Sequence, residues 1–198
     1  MRRSLASWGA LAALFVGGLP GCAKYDELIE KDQVAQQRWA DIEAALQRRA
    51  DLVPNLVATV KAAAAQEQDT LTKVIEARSK ATSIQMSAED LQDPQKMAAF
   101  QAAQDSLRGA LSRLLVVQEQ YPQLRSSEAF RDLQVQLEGT ENRLLRSRER
   151  YNEAVSDYNA TLGKIGGAIV KRATGGTFKP RVYFSATSDA QKAPRVEF

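Results

Sequence analysis

The sequence contains no histidine and only one cysteine, Cys22. The lack of histidine excludes imidazole-dependent catalytic triads, zinc or haem ligation through histidine, and the Glu-x-x-His sites of di-iron bundles. A single cysteine excludes a disulfide within the chain. Because these absences remove most common catalytic and metal-binding chemistries, we expect no enzymatic activity and no cofactor.

Glycine and proline are sparse between residues 24 and 160, where alanine, glutamine, leucine, glutamate and arginine dominate. These residues lose little on entering a helix, so the composition predicts an all-α protein. A length of 198 residues with 44% hydrophobic residues suits one domain with a buried core. The net charge is +3, but basic and acidic residues alternate along the chain, and we therefore expect no nucleic-acid binding.

Residues 1–21 have the pattern of a secretory signal peptide, with two arginines, an apolar stretch from Leu5 to Val16, and small or turn-forming residues. The apolar stretch is shorter than the roughly 20 residues of a membrane-spanning helix. The residues at 19–22, Leu-Pro-Gly-Cys, resemble a bacterial lipobox, although Pro20 is unusual at its position. The sequence therefore predicts lipidation of Cys22. The alternative is a free or buried thiol that follows an uncleaved anchor helix.

A lipid on Cys22 would make this residue the start of the mature protein and hold it at a membrane surface. Residue 23 is alanine, not the aspartate that retains many lipoproteins at the inner membrane of Gram-negative bacteria. We therefore expect a membrane-anchored protein on the periplasmic side, at the outer membrane if the organism is Gram-negative.

A long first helix is predicted from near Asp26 to about Thr82. Pro54 lies inside this pattern, where it removes one backbone hydrogen bond. Because the apolar stripe keeps its phase across Pro54, we predict a kink in one continuous rod on the order of 80 Å long. The alternative is a break near residue 51 that leaves two shorter helices.

Two further helices follow. The second is predicted from about Pro94 to Glu119, with Asp93 as its N-cap, and the third begins after Ser126 or Ser127. Matched apolar stripes predict an antiparallel up-and-down bundle over residues 22–165. Residues 166–198 are predicted to form a short helix or an extended C-terminal tail, whose last residues fit either a frayed end or a docking peptide.

Several stretches resemble the bacterial LemA family. They are QRRADLVPNLVATVKA at 47–62, ARSKA at 77–81, LSRLLVVQEQYPQLRSSEAFRDLQVQLEGTENRL at 111–144, RERYNEAVSDYNATL at 148–162, and a tail with YF and a closing Pro-x-Val-x-Phe. The resemblance implies an antiparallel helical bundle with a long first helix and an N-terminal membrane anchor that faces outside the cytoplasm, and it implies no particular activity. The chain departs from the family in having a lipobox instead of a transmembrane helix. It also has Ile165-Gly166-Gly167 where an aromatic-proline pair is usual, and this leaves the path of the tail open.

A group of polar residues falls on or beside the apolar stripes. Its members are Arg48, Arg49, Asp51, Asn55, Glu119, Tyr121, Glu141 and Arg148. Charges that face the core are expected to pair with one another, since a buried unpaired charge is costly. The group is therefore either a salt-bridge network that sets helix register or a polar pocket near Pro54 for a partner peptide.

The pairs Tyr151-Asn152 and Tyr158-Asn159 recur seven residues apart and therefore share one helix face. We interpret the tyrosines as bundle packing with hydroxyls at the rim, with an aromatic ligand platform as the alternative.

The preferred function is that of a membrane-anchored, non-enzymatic interaction or scaffold protein of the bacterial cell envelope. Its expected contacts are the membrane, through lipid on Cys22, and an envelope protein of unknown identity, and the pattern leaves oligomerisation open. The alternative is a small-molecule or metal-binding bundle, which requires several carboxylates to converge. The candidate oxygen ligands are Glu67, Glu76, Glu119, Glu138 and Glu141.

Overall fold

The computed structural model describes residues 19–185, with side chains described from residue 23 onward. Over this range the chain forms six α-helices and no β-strand, which confirms the all-α prediction. The helices are α1 (Leu19–Ala63), α2 (Gln68–Ser83), α3 (Pro94–Val116), α4 (Pro122–Arg125), α5 (Glu128–Gly163) and α6 (Ile165–Ala173). Most of the predicted leader, the thiol of Cys22 and residues 186–198 lie outside the described part.

The two longest helices, α1 and α5, form an antiparallel pair that runs the length of the molecule. Leu28, near the start of α1, packs with Leu162 near the end of α5. The ring centroids of Trp39 and Tyr151 lie 5.3 Å apart at the middle of the pair. Because residue numbers rise along α1 as they fall along α5, every packed layer of the pair joins residues that are distant in sequence.

The prediction of one continuous helix from Asp26 to Thr82 is wrong beyond Ala63. α1 ends at Ala63, the chain turns at residues 64–67, and α2 runs back along α1. Val60 and Leu71 are 11 residues apart, which is about three helical turns, so the apolar stripe stays in phase across the turn. Periodicity alone therefore gives no sign of it. A straight rod would leave the apolar face of α2 in water, whereas the hairpin buries that face.

The turn contains no glycine or proline and is held by residues from a distant loop. The Tyr121 hydroxyl donates to Glu67 Oε1 at 3.0 Å. Gln123 Nε2 donates to the Ala63 carbonyl at 3.0 Å and so caps the last turn of α1. Glu67 itself makes no side-chain cap at the start of α2. The point of chain reversal is therefore specified by tertiary contacts and not by local turn residues.

α1 continues through Pro54, as predicted, and the alternative of a break near residue 51 is wrong. Pro54 has no amide hydrogen, so the Ala50 carbonyl one turn earlier lacks its helical donor. Arg78 of α2 supplies one, because its Nε donates to the Ala50 carbonyl at 2.8 Å. The hairpin that the periodicity did not reveal thus satisfies the backbone group that the proline leaves free.

The predicted starts of the second and third long helices are confirmed. Asp93 Oδ1 accepts hydrogen bonds from the amides of Gln95 and Lys96 at 2.8 and 3.3 Å. Ser127 Oγ accepts from the Phe130 amide at 3.3 Å. α3 ends at Val116 and continues as a 3-10 turn, Val117–Glu119, so its predicted end at Glu119 includes that turn.

Different elements pack on the two halves of the α1–α5 pair. The α2–α3 hairpin packs on the half of the α1–α5 pair that contains Leu56 and Leu137. At the other half, α6 packs with Leu28 and Leu162 through Val170. α6 begins so close to the end of α5 that a Cβ on Gly167 would lie 2.3 Å from the Thr161 carbonyl oxygen, and only glycine fits there.

A double-mutant cycle tests the role of Arg78. We expect Arg78→Met to lower the free energy of unfolding by about 1–3 kcal/mol, because the buried Ala50 carbonyl loses the donor that Arg78 supplies. In a Pro54→Ala background residue 54 regains its amide, so the same substitution should have a much smaller effect. Urea denaturation of the four proteins measures both values. Lys80→Ala, on the exposed face of α2, is the control, and an equal loss in both backgrounds would contradict the assignment.

Candidate functional site

The centre of the polar group predicted from the sequence is Arg49, which is 1% exposed. Its Nη1 donates to Glu141 Oε1 of α5 at 3.0 Å, and its Nη2 donates to Gln104 Oε1 of α3 at 2.8 Å. Gln104 Nε2 in turn donates to the Ala81 carbonyl of α2 at 2.9 Å. One guanidinium therefore connects α1 to α5 directly and to α3 and α2 through the Gln104 amide.

The two partners of this ion pair differ in their exposure to water. The Arg49 side chain is buried, whereas the Glu141 side chain is 36% exposed at the surface of α5. Water can therefore solvate the carboxylate, but the guanidinium depends on its protein partners. The pair has the burial and the multiple hydrogen bonds that a register-setting network requires.

The other predicted residues do not form a pocket around Pro54. Arg48 Nη2 donates to Gln136 Oε1 at 3.3 Å on the surface, and Asp51 accepts from Gln47 Nε2 at 2.7 Å along α1. Asn55 and Glu119 are exposed, Tyr121 holds the turn at Glu67, and Arg148 contacts the C-terminal segment. The structure thus distributes the predicted group over the core, the hairpin turn and the tail.

The candidate carboxylate ligands are also separated. Glu67 accepts from Tyr121 and Glu141 from Arg49, at different levels of the bundle. In the range 19–185 no three histidine, cysteine, aspartate or glutamate side chains are grouped so as to hold a metal ion.

A groove that the sequence did not predict holds the extended residues 179–185 along α5. The Tyr158 hydroxyl donates to the Lys179 carbonyl at 3.0 Å, and the Tyr151 hydroxyl donates to the Val182 carbonyl at 2.9 Å. On the opposite side, the Val182 amide donates to the Leu91 carbonyl at 2.9 Å. We call this site the tail groove; its walls are α5, α1 and the loop before α3.

Two asparagines pair with the backbone of the tail as a neighbouring strand would. Asn159 Nδ2 donates to the Arg181 carbonyl and its Oδ1 accepts from the Arg181 amide, both at 2.9 Å. Asn152 makes the same two bonds with Phe184, at 3.0 and 2.8 Å. Seven helical residues advance about 10.5 Å and three extended residues about 10 Å, so the two spacings match. The recurrence of Tyr-Asn at seven residues is the signal that the sequence contained for this site.

Two tail side chains enter the body of the protein. The buried Arg181 guanidinium donates to both carboxylate oxygens of Asp32, at 2.6 and 2.9 Å, and to the Ala88 carbonyl at 3.2 Å. Phe184 is buried against Trp39, with ring centroids 6.1 Å apart, and the Arg148 guanidinium lies 4.5 Å from the Phe184 ring centroid. Bidentate and cation–π contacts of this kind make the groove specific for these residue types.

Burial disfavours the charged form of three residues that contact the tail, Tyr151, Tyr158 and Arg148. Burial raises the pKa of Tyr151 and of Tyr158 to about 12 in each case. It also lowers the pKa of Arg148 from its ordinary value. Both tyrosine hydroxyls therefore stay protonated near neutral pH and keep donating to the tail. The predicted packing of the tyrosine rings is borne out, because both rings are buried.

Comparison with known proteins gives a family and distant relatives. The LemA family profile matches residues 38–198. Magnetosome proteins MamQ 1 and MamQ 2 of Paramagnetospirillum magneticum (strain ATCC 700264 / AMB-1) are each 29% identical over 178 residues, covering 81% of this chain and 64% of theirs. Magnetosome protein MamQ of Magnetospirillum gryphiswaldense (strain DSM 6361 / JCM 21280 / NBRC 15271 / MSR-1) is 25% identical over 177 residues, with the same coverage. The chain thus spans less than two thirds of these curated relatives.

Arg49 and Glu141 differ in exposure, so removing one or the other should change the free energy of unfolding by different amounts. Glu141→Gln should lower the free energy of unfolding by about 3 kcal/mol, because it leaves the buried Arg49 charge without an anion. Arg49→Met should lower it by less, since water partly solvates the Glu141 carboxylate that remains. Urea denaturation measures both, with Arg48→Met as the exposed control. A larger loss for Arg49→Met than for Glu141→Gln would contradict this description.

Proposed function

Since the chain belongs to the LemA family, we propose that it is a membrane-anchored, non-enzymatic helical interaction protein of the bacterial cell envelope. The proposed anchor is lipid on Cys22, and the proposed partner is an envelope protein that contacts the exposed faces of the bundle. The finding that carries the membrane part is a basic and apolar surface on α6, at the end of the bundle where Cys22 lies.

Two large apolar side chains of α6 point away from the bundle. Ile165 is 83% exposed and Ile169 is 63% exposed, while Val170, on the opposite side of the helix, is buried. Lys164, Lys171 and Arg172 are exposed at the two ends of the same helix. An apolar face bordered by basic residues is typical of helices that lie in a membrane interface and contact anionic headgroups.

The position of α6 places this surface beside the proposed anchor. Gly166 lies against the side chain of Lys24 in α1, and Cys22 precedes Lys24 by two residues in the same helix. A lipid on Cys22 and the isoleucines of α6 would therefore meet the same membrane surface. No helix in the described range has the length and apolar character needed to span a membrane.

The opposite half of the bundle supports the interaction part of the proposal. Val116 of α3 and Val135 of α5 are both more than half exposed there, far along the chain from the proposed anchor. The buried charges of the bundle are already paired, Arg49 with Glu141 and Arg181 with Asp32. A partner would therefore bind through surface contacts on the part of the bundle that projects from the membrane.

The lipid anchor has a direct chemical test. We expect the mature protein from membranes to begin at Cys22 and to carry a mass increase that matches diacylglyceryl modification of the thiol. Intact-mass analysis of the wild-type protein, with Cys22→Ser as the unmodified control, measures this. A wild-type chain that still begins at Met1 with a free thiol would overturn the anchor.

Vesicle binding tests the α6 surface separately from the lipid. A chain that starts at Ala23 should co-sediment with anionic phosphatidylglycerol vesicles, and Ile165→Ser/Ile169→Ser should weaken this binding at least about tenfold, because the inserted apolar area is lost. Val116→Ser/Val135→Ser, at the other end of the bundle, is the matched control. Equal weakening by both double variants would contradict a membrane-facing α6.

A further inference from the structure

The tail contains a five-residue segment twice. Residues 180–184 read Pro-Arg-Val-Tyr-Phe, and residues 194–198 read Pro-Arg-Val-Glu-Phe, 14 residues further along. The first segment occupies the tail groove. The second lies outside the described residues. The two segments differ at one position, Tyr183 against Glu197.

The position that differs is one at which the groove does not enclose the side chain. Arg181 and Phe184 are buried in the groove, while Tyr183 is 44% exposed. The contact of the groove with residue 183 is a hydrogen bond from Gln101 Nε2 to the backbone carbonyl, at 3.5 Å. The bonds to Asn152 and Asn159 also use only tail backbone. Each side chain that the groove encloses in the first segment thus has an identical counterpart in the second.

We propose that the tail groove is a binding site for an extended peptide of the form Pro-Arg-Val-x-Phe, and that residues 194–198 are its second ligand. The groove of one molecule then holds its own chain in either of two registers. In the second register Arg195 pairs with Asp32, Phe198 packs on Trp39 under Arg148, and the Glu197 side chain faces solvent.

Chain length allows this exchange within one molecule. In the first register three residues, 177–179, separate α6 and its turn from Pro180, and in the second this connection is 14 residues longer. The entropy of loop closure grows only with the logarithm of loop length, so the longer connection adds little. A tethered segment also acts at a higher effective concentration than a segment of another molecule. The expected occupant is therefore residues 194–198 of the same chain.

Two registers with nearly the same contacts differ little in free energy, so a modest interaction can change their populations. The segment that does not occupy the groove, either 180–184 or 194–198, would be available to another protein. Binding of a partner to one segment would move the other segment into the groove and would reposition the residues between them.

Cross-linking with a short bismaleimide tests the two registers in full-length protein that carries Cys22→Ser. Gln101→Cys/Tyr183→Cys should cross-link in the first register, and Gln101→Cys/Glu197→Cys should cross-link in the second, each at monomer mass. Adding Phe184→Ala to the Gln101→Cys/Glu197→Cys protein should favour its cross-link, because only Phe198 can then fill the aromatic site. The cross-link yield should be at least about tenfold higher than in the same protein that carries both Phe184→Ala and Phe198→Ala. Gln101→Cys/Asp189→Cys, with its thiol between the segments, is the control for random contact.

Each outcome decides the proposal. A monomeric Gln101–Glu197 cross-link that depends on Phe198 supports it. A cross-link found at dimer mass overturns the intramolecular form and assigns the second segment to the groove of another copy. A yield equal to that of the Asp189 control, or independent of Phe198, overturns the second ligand altogether.

A second measurement keeps Phe184 in place, in case Phe184→Ala prevents folding. Excess synthetic peptide spanning residues 191–198 should displace the first segment and lower the Gln101–Tyr183 cross-link. The same peptide with Phe198→Ala should leave the yield unchanged. If neither peptide changes the yield, the groove does not recognise the second segment and the proposal fails.

Discussion

The Ala50 carbonyl, which Pro54 leaves without a helical donor, begins a series of hydrogen bonds that joins the four longest helices. Its replacement donor is Arg78, 28 residues along the chain, so α2 must return along α1 for the bond to form. The return brings the end of α2 to Gln104, whose amide joins the Ala81 carbonyl to Arg49. Arg49 then reaches Glu141 of α5. A helix-breaking residue is thus tolerated in mid-helix because the tertiary structure satisfies the backbone group that it exposes.

The tail groove links the second half of the molecule in a different way. There an extended segment completes the core together with α6, and asparagine side chains on α5 pair with backbone amides and carbonyls that would otherwise need a neighbouring strand. Arg181 and Phe184 add buried side chains from the tail to the α1–α5 pair. The tail groove is therefore part of the folded core, and it lies between α6 at one end of the bundle and the α1–α2 turn at the other.

Much of the fold was predictable because it depends on local chemistry. Asp93 and Ser127 cap helices through bonds to amides two or three residues away, so composition and spacing suffice to find them. The α1–α2 turn was missed because Val60 and Leu71 remain in phase and no glycine or proline marks the reversal. The groove was missed because the role of Asn152 and Asn159 depends on a segment more than 20 residues away. Arg49 and Glu141 were identified as candidates, but their pairing required the antiparallel register of α1 and α5.

The sequence by itself determined that the protein is helical, where α3 and α5 start, and that chemistry dependent on histidine or on a disulfide within the chain is excluded. These properties follow from residue type and short-range spacing. Only the tertiary structure decided where the first helix reverses, which polar residues meet in the core, and that the tail lies along α5 as an extended strand. Those properties depend on hydrogen bonds and buried contacts between distant segments, such as Arg78 with Ala50 and Arg181 with Asp32, whose partners become apparent only after the chain has folded.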